Sequence, residues 1–235
     1  MHLLLTNDDG IEAPGLLALE QVCRTLGHRV SVVAPASEQS MCGHRVTTYS
    51  PIKVASITAD RWAVSGTPAD CVRIALFGLG LTPDAVFSGI NAGGNLGQDI
   101  YISGTCAGAR EAAYYGVRAA AFSHYLVRDL AVNWSQIQSW LPELTTRVLA
   151  QNTSRGAWTN INFPHLPGEN VPLPDIRTTT PEARPLGVSY DVTPAEALDC
   201  HSFQYSARYA DRPRTPGSDV DVVFGGAISW SEMTI

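Results

Sequence analysis

The sequence predicts an α/β fold, a parallel sheet with helices packed against it and a β-rich appendage at the C-terminus. Three observations carry this. Leu3–Ala34 reads as strand, loop, helix, strand, a βαβ unit that is right-handed by default. Further strand-length runs at Asp84–Ser88 and Ala119–Ser123 alternate with helical stretches, as in parallel sheets covered on both faces. After about residue 165 the helical periodicity gives way to proline-rich turns and short strands.

The first strand opens with Leu3-Leu4-Leu5 and closes in Thr6-Asn7-Asp8-Asp9-Gly10, an apolar run ended by turn residues. Pro14–Leu26 follows as a helix: Leu16, Leu19, Val22, Cys23 and Leu26 share one stripe, with Pro14 in the first turn and Gly27 at the C-terminal cap. Arg29–Ala34 is a β-branched strand closed by Pro35, and Pro35–Tyr49 is a polar loop that carries Ser40 and His44. Arg61–Val64 is a short strand. Ser65-Gly66 then turn the chain into Thr67-Pro68-Ala69-Asp70, which has the N-cap, N1 and N3 residues of a capping box and starts a helix running to Gly78. Asp84–Ser88 exits into the glycine- and asparagine-rich loop Gly89–Asp99. Ser103-Gly104-Thr105 opens a helix over Thr105–Tyr115, with Thr105 as its cap. Ala119–Ser123 is a strand. Trp134–Ala150 is an amphipathic helix that Pro142 either kinks or begins, and Thr159–Phe163 is the last core strand. Within Val188–Ile235 the pattern suggests turns and short strands, Ile228–Trp230 being the clearest. The expected organisation is a core of residues 1–165 and an appendage of residues 166–235.

Composition bounds the function. With 235 residues and 45% hydrophobic residues, the chain can bury a sizeable core. A formal net charge of -6 disfavours a nucleic-acid polymer as partner. The five cysteines (Cys23, Cys42, Cys71, Cys106 and Cys200) are odd in number, widely spaced and free of any CxxC, which argues against a disulfide framework or a structural zinc site. There is no basic N-terminal leader pattern and no apolar run of membrane-spanning length, so a soluble cytoplasmic protein is expected.

The candidate chemistry gathers at the carboxyl ends of strands, where α/β sheets bind ligands. Asp8 and Asp9 alone read equally well as an Asx-rich turn or as half of a cation site. Ser40, Asn91 and Asn95 add a hydroxyl and two amides, and the helix after Ser103-Gly104-Thr105 offers free N–H groups and the positive end of its dipole. Oxygen ligands of this kind suit Mg²⁺ or Mn²⁺ rather than zinc. A hard cation beside a helix N-terminus suits phosphate-ester chemistry. Ser40 and His44 are also readable as structural loop residues, and Cys42 and Cys106 as packing residues.

Five stretches, LLLTNDDG, APASEQS, SGTPADCV, FSGINAGGNLG and YISGT, resemble in order and spacing the survival protein SurE family of metal-dependent 5'-nucleotidases. The resemblance is strong over about residues 1–125 and continues more weakly through TNINFP and AISW. It implies a three-layer Rossmann-like core, a C-terminal appendage often exchanged between subunits, and a homodimer or homotetramer. It implies hydrolysis of nucleoside 5'-monophosphates by metal-assisted attack of water, with 3'-nucleotides or short polyphosphate as further substrates. By motif position, Asp8, Asp9, Ser40 and Asn91 would hold one Mg²⁺ or Mn²⁺ per subunit. Asn95, Ser103, Gly104 and Thr105 would hold the phosphate, and Gly66 and Thr67 would line the pocket. One of the two aspartates, Asp9 in preference to Asp8, is the expected base. His44 is a further candidate for proton transfer, and Tyr101 for stacking on the nucleobase.

The sequence departs from the family pattern at Ala36, where an Asp is usual, and at Gly93-Gly94-Asn95, where relatives have GPN. It ends five residues after Trp230, which bears on oligomerisation. Three other readings compete with this one. A nucleotide- or sugar-nucleotide-binding transferase is disfavoured because no second Rossmann-like half is visible in 235 residues. A covalent aspartyl phosphatase needs an Asp where Gly10 stands. A non-catalytic phosphate-binding module shares the same residues and is separated only by assay.

Overall fold

The computed structural model describes residues 1–152, 154–194 and 201–235; Cys200 lies outside the described residues. Its centre is β1 (His2–Thr6), which pairs in parallel with β2 (Arg29–Pro35) on one side and β5 (Ala85–Ala92) on the other. The parallel run continues outward from β2 to β4 (Arg61–Val64), and from β5 to β6 (Arg118–His124) and β7 (Ala157–Phe163). β3 (Val54–Thr58) lies antiparallel on the β4 edge. Beyond β7 come β11 (Ile228–Thr234), antiparallel to it, and β8 (Ile176–Thr178), parallel to β11. The sheet order is β3-β4-β2-β1-β5-β6-β7-β11-β8.

Strand alternation divides the core into two layers. Leu3 and Leu5 face α1 (Pro14–Thr25) and α5 (Trp134–Ala150), while Leu4 faces α2 (Pro68–Arg73) and α4 (Gly104–Tyr114). Both faces of β1 are therefore dry, which is why it reads as an unbroken apolar run rather than an alternating one. The result is the three-layer α/β fold expected.

Several local elements differ from the sequence reading. β3 was not anticipated, because every residue of this edge strand is exposed and leaves no apolar alternation. β5 runs on through Gly89-Ile90-Asn91-Ala92, so the glycine-rich loop starts later than expected. Gly89 lies so close to β6 that a Cβ would sit 2.3 Å from the Phe122 carbonyl oxygen. A short helix, α3 (Asp99–Ile102), follows the loop. Ser103, not Thr105, caps α4, accepting the Cys106 N–H at 3.0 Å. α2 has the full capping box and continues as a π-helical turn over Ile74–Gly78. Pro142 sits inside α5, which starts at the Asn133 cap.

In residues 166–235, β8 and β11 join the main sheet, while β9 (Tyr190–Pro194) and β10 (His201–Tyr205) form a separate antiparallel ribbon. α6 (Asp219–Phe224) is helical where short strands were expected. It packs Val220 and Val223 on Leu96 of the glycine-rich loop.

Candidate active site

The loops at the carboxyl edge are tied to one another by main-chain and side-chain bonds. The Asn7 amide donates to the Gly10 carbonyl at 2.8 Å and shapes the first loop. The Asp8 carbonyl accepts from Gln39 N–H at 2.7 Å, joining that loop to the one after β2. The Asp8 carboxylate is buried and accepts from the Thr105 hydroxyl through Oδ1. Gly104, the first residue of α4, packs directly on the same side chain: a Cβ there would sit 2.8 Å from Asp8 Cβ and Oδ2 and from Cys42 Sγ. A residue with no side chain is therefore needed for the helix to approach so closely. Asp9 accepts the Ala92 N–H at 3.0 Å, at the end of β5. Ser40 donates to Glu38 at 2.5 Å, and the Asn91 amide donates to the Gly93 carbonyl at 2.8 Å.

These loops enclose a cavity of about 550 Å³ whose wall includes Asp8, Asp9, Ser40, Asn91, Asn95 and Ser103. Ala13, Pro14, Met41, Ile102 and Trp134 make the wall partly apolar. Burial pushes the Asp8 carboxyl up to about 6. The Thr105 hydrogen bond opposes that shift and the charge of Asp9 adds to it. Burial also raises the Asp9 carboxyl, against the Ala92 N–H and with the charge of Glu38. Two partly desolvated neighbouring carboxylates resist ionisation unless a cation neutralises them, so their placement fits a cation between or beside them. Among the described residues no group of three His, Cys, Asp or Glu side chains is placed to hold a metal ion. A shell here therefore has to be completed by neutral oxygens, and Ser40 and Asn91 stand on the same wall to supply them. That donor set fits a hard divalent cation and not zinc.

Asn95 is held by residues the sequence reading did not single out. Its N–H donates to Asn162 Oδ1 at 2.8 Å. Its carbonyl accepts from the amides of Asn160 at 2.9 Å and Asn162 at 3.1 Å, and its own amide donates to Ser123 at 2.7 Å. Two asparagines buried within an otherwise apolar strand were the available signal, since buried amides need partners. The far side of the loop is held from the C-terminal region. Asp219 accepts from Gly97 N–H at 2.7 Å, and Arg212 pairs with Asp99 at 2.6 Å while donating to the Leu96 carbonyl at 2.9 Å.

The structure does not bring every candidate to this cavity. Gly66 and Thr67 sit at the start of α2, away from its wall. Thr67 donates to the Arg45 carbonyl at 2.6 Å, and Asp70 accepts from the Thr47 N–H and hydroxyl at 2.8 Å each. Their polar groups are used in fastening the loop before β3. His44 and Tyr101 line a different cavity, and His44 Nε2 faces Glu111 at 2.6 Å. Cys42, Cys71 and Cys106 have thiols pushed upward by burial, Cys106 to about 12, consistent with packing residues.

Comparison with known proteins adds four findings. The family model described as survival protein SurE matches residues 3–186. The 5'-nucleotidase SurE of Paramagnetospirillum magneticum is 39% identical over 231 residues, covering 97% of this chain and 88% of that protein. The 5'-nucleotidase SurE of Brucella abortus is 36% identical over 240 residues, covering 99% and 92%. The crystal structure of the SurE protein from Aquifex aeolicus superposes with a TM-score of 0.87 at 30% identity, covering 100% of this chain and 93% of that one.

Proposed function

The chain belongs to the survival protein SurE family, and from that premise we propose that it is a divalent-metal-dependent 5'-nucleotidase. The observation that carries this reading is the pairing of Asp8 and Asp9 on one cavity wall with the N-terminal end of α4. Asp8, Asp9, Ser40 and Asn91 would hold Mg²⁺ or Mn²⁺, one ion per subunit. The bound cation supplies Lewis-acid polarisation of a phosphoryl oxygen and acidifies a coordinated water.

The remaining work falls to the chain itself. The first turn of α4 presents the positive end of its dipole to the phosphate, with Ser103 at its cap on the cavity wall. Ser103 accepts from Cys106, which leaves its own hydroxyl proton for a phosphate oxygen. One N–H of the Asn95 amide is taken by Ser123, and the other has no protein acceptor among the described residues. Preorganised donors of this kind stabilise the charge that spreads over the phosphoryl oxygens. Asp8 and Asp9 each have one oxygen engaged, by Thr105 and by Ala92 N–H; Asp8 is buried whereas Asp9 is partly exposed to the cavity, so Asp9 is the better placed to take the proton of the attacking water. Met41, Ile102 and Trp134 offer apolar surface to the nucleoside. Every polar contact assigned here goes to phosphate, which accommodates 3'-nucleotides and short polyphosphate as secondary substrates.

The test is phosphate release from a panel of nucleoside monophosphates with Mg²⁺, Mn²⁺ or EDTA. Release is expected with a divalent cation and not with EDTA. Asp8→Asn is expected to lose the activity while its circular dichroism stays native. Undiminished turnover in EDTA, or in Asp8→Asn, rejects the reading.

We also infer a homodimer or homotetramer. The β9–β10 ribbon leaves Tyr190, Val192, Phe203 and Tyr205 exposed, and an isolated two-stranded ribbon is marginally stable without a partner. A cytoplasmic location is supported by the free thiols of Cys23, Cys42, Cys71 and Cys106. No helix among the described residues is long and apolar enough to cross a membrane.

A further inference from the structure

A second cavity of about 690 Å³ shares none of the first one's lining residues. Its character is opposite. Asp8, Asp9, Glu38 and Asp99 line the first cavity with carboxylates, whereas the second is lined by Arg73, Arg110 and Arg155 with Glu111 as its one carboxylate. In a chain of net charge -6, three guanidinium groups around one hollow are a local reversal of sign.

The hydrogen bonds show which of these charges are already used. Arg73 pairs with the buried Glu111 through Nε. Arg110 Nε donates to His44 Nδ1 at 3.0 Å, so that nitrogen is the acceptor and Nε2 is the N–H that faces Glu111 at 2.6 Å. Glu111 is thus satisfied from both sides. Arg110 and Arg155 have no carboxylate partner among the described residues. Arg110 otherwise reaches only the Ile100 carbonyl at 3.5 Å and the face of Trp158 at 5.9 Å, and Arg155 the Tyr114 carbonyl at 3.4 Å. Two guanidinium forks facing one hollow with free N–H groups match the geometry of phosphate oxygens.

The rest of the wall is aromatic. Tyr101, Tyr114 and Tyr115 line the cavity with 70%, 46% and 40% of their surface exposed, and none of their hydroxyls has a protein partner among the described residues. Exposed rings beside unpaired arginines suit a ligand that is anionic at one end and flat at the other.

We propose that this cavity is a second, metal-independent binding site for a phosphorylated aromatic small molecule of the nucleoside polyphosphate class, with Arg110 and Arg155 on its phosphates and the tyrosine rings against its base. The site is separate from catalysis and stands whether or not the first cavity hydrolyses nucleotides.

The test is calorimetric titration of the full-length protein with ATP and with pyrophosphate, in EDTA at low salt. Without a cation the carboxylate-lined first cavity repels both probes, so binding under these conditions reports the second. ATP is expected to bind, more tightly than pyrophosphate, and more weakly as salt is raised. Arg155→Gln, at an exposed position, and Arg110→Met, which keeps an unbranched apolar stem, are each expected to weaken ATP by about tenfold or more, since a hydrogen bond to a charged group is lost. Asp9→Asn is expected to leave ATP binding in EDTA unchanged. Phosphate release from AMP with Mn²⁺ is expected to survive in Arg155→Gln. Absence of ATP binding to the wild-type protein in EDTA, undiminished binding in both arginine variants, or loss of binding in Asp9→Asn overturns the proposal.

Discussion

Gly104→Ala isolates the close approach of α4 to Asp8. The added Cβ would lie 2.8 Å from Asp8 Cβ and Oδ2 and from Cys42 Sγ. Comfortable carbon contact begins near 3.5 Å, so something must move by about 0.7 Å. Asp8 cannot swing away freely, because Thr105 in the same helix turn holds its other oxygen. The stability terms oppose each other. Overpacking costs about 1–3 kcal/mol, and Ala in place of Gly in a helix returns about 1 kcal/mol, leaving a net loss of roughly 0–2 kcal/mol. For a chain of this size that lowers Tm by at most about 8 °C. Activity has no such offset. A carboxylate displaced by approximately 1 Å costs on the order of a hundredfold in rate. The assay pairs thermal unfolding by circular dichroism with kcat/KM for AMP in Mn²⁺. A companion, Gly104→Ala with Cys42→Ala, removes the sulfur contact and is expected to recover stability but not activity. If Gly104→Ala alone keeps kcat/KM within threefold of wild type, the claim that α4 positions Asp8 by direct contact is wrong.

Two further outcomes follow from buried charge. Arg212→Ala leaves Asp99 unpaired beneath the glycine-rich loop and should cost about 3 kcal/mol in urea unfolding; Arg212→Lys should recover only part, because one ammonium cannot serve Asp99 and the Leu96 carbonyl in the same planar geometry. A loss below about 1 kcal/mol for the alanine variant contradicts the assigned ion pair. His124 is buried, and desolvation, with the neighbouring His165 adding, holds its pKa down at about 4 against the usual 6.5. The unfolded chain therefore takes up this proton first as pH falls. Stability should be level above pH 6.5 and decline between pH 6.5 and about 4, by up to roughly 3 kcal/mol from this group. His124→Gln should flatten that decline in unfolding free energies measured across the range, and an unchanged decline in the variant counts against the burial argument.

What could be read along the chain was what neighbouring residues decide among themselves. The capping box at Thr67 and Asp70 is a three-residue matter, and it is present as expected. β1 announced itself because both its faces are buried, so its composition needed no knowledge of its partners. β3 failed the same test, since an exposed edge strand carries no pattern. α6 lies within the stretch expected to hold turns and short strands, and its Asp219-Val220-Asp221-Val222 alternates with the period of a strand. Ser218 caps the segment instead, accepting from Asp221 N–H, and Asp219 is buried against the loop at Gly97. The cap is local, but the burial of Asp219 depends on a partner 122 residues away.

The site divides along the same line. Asp8, Asp9, Ser40, Asn91, Asn95 and Ser103 were legible because an α/β sheet delivers each strand's exit to one edge, so chain order alone brings them together. Gly66 and Thr67 also leave a strand of that sheet, yet Gly66 packs against the Asp70 side chain and the polar groups of Thr67 are spent on α2 and on the loop at Arg45. Edge position brings a residue near the site, and hydrogen-bond partners decide whether it can act there. Thr105 makes the point most sharply. As a hydroxyl at a helix start it reads as a cap or a phosphate contact, but Ser103 takes the cap and Thr105 turns inward to Asp8. Asn160 and Asn162 go the other way: they looked like part of an ordinary strand, and they hold the main chain of Asn95 from about 65 residues away in sequence. Which polar residue acts on substrate and which one holds another in place is therefore a question about partners distant in the chain, and motif order alone does not contain the answer.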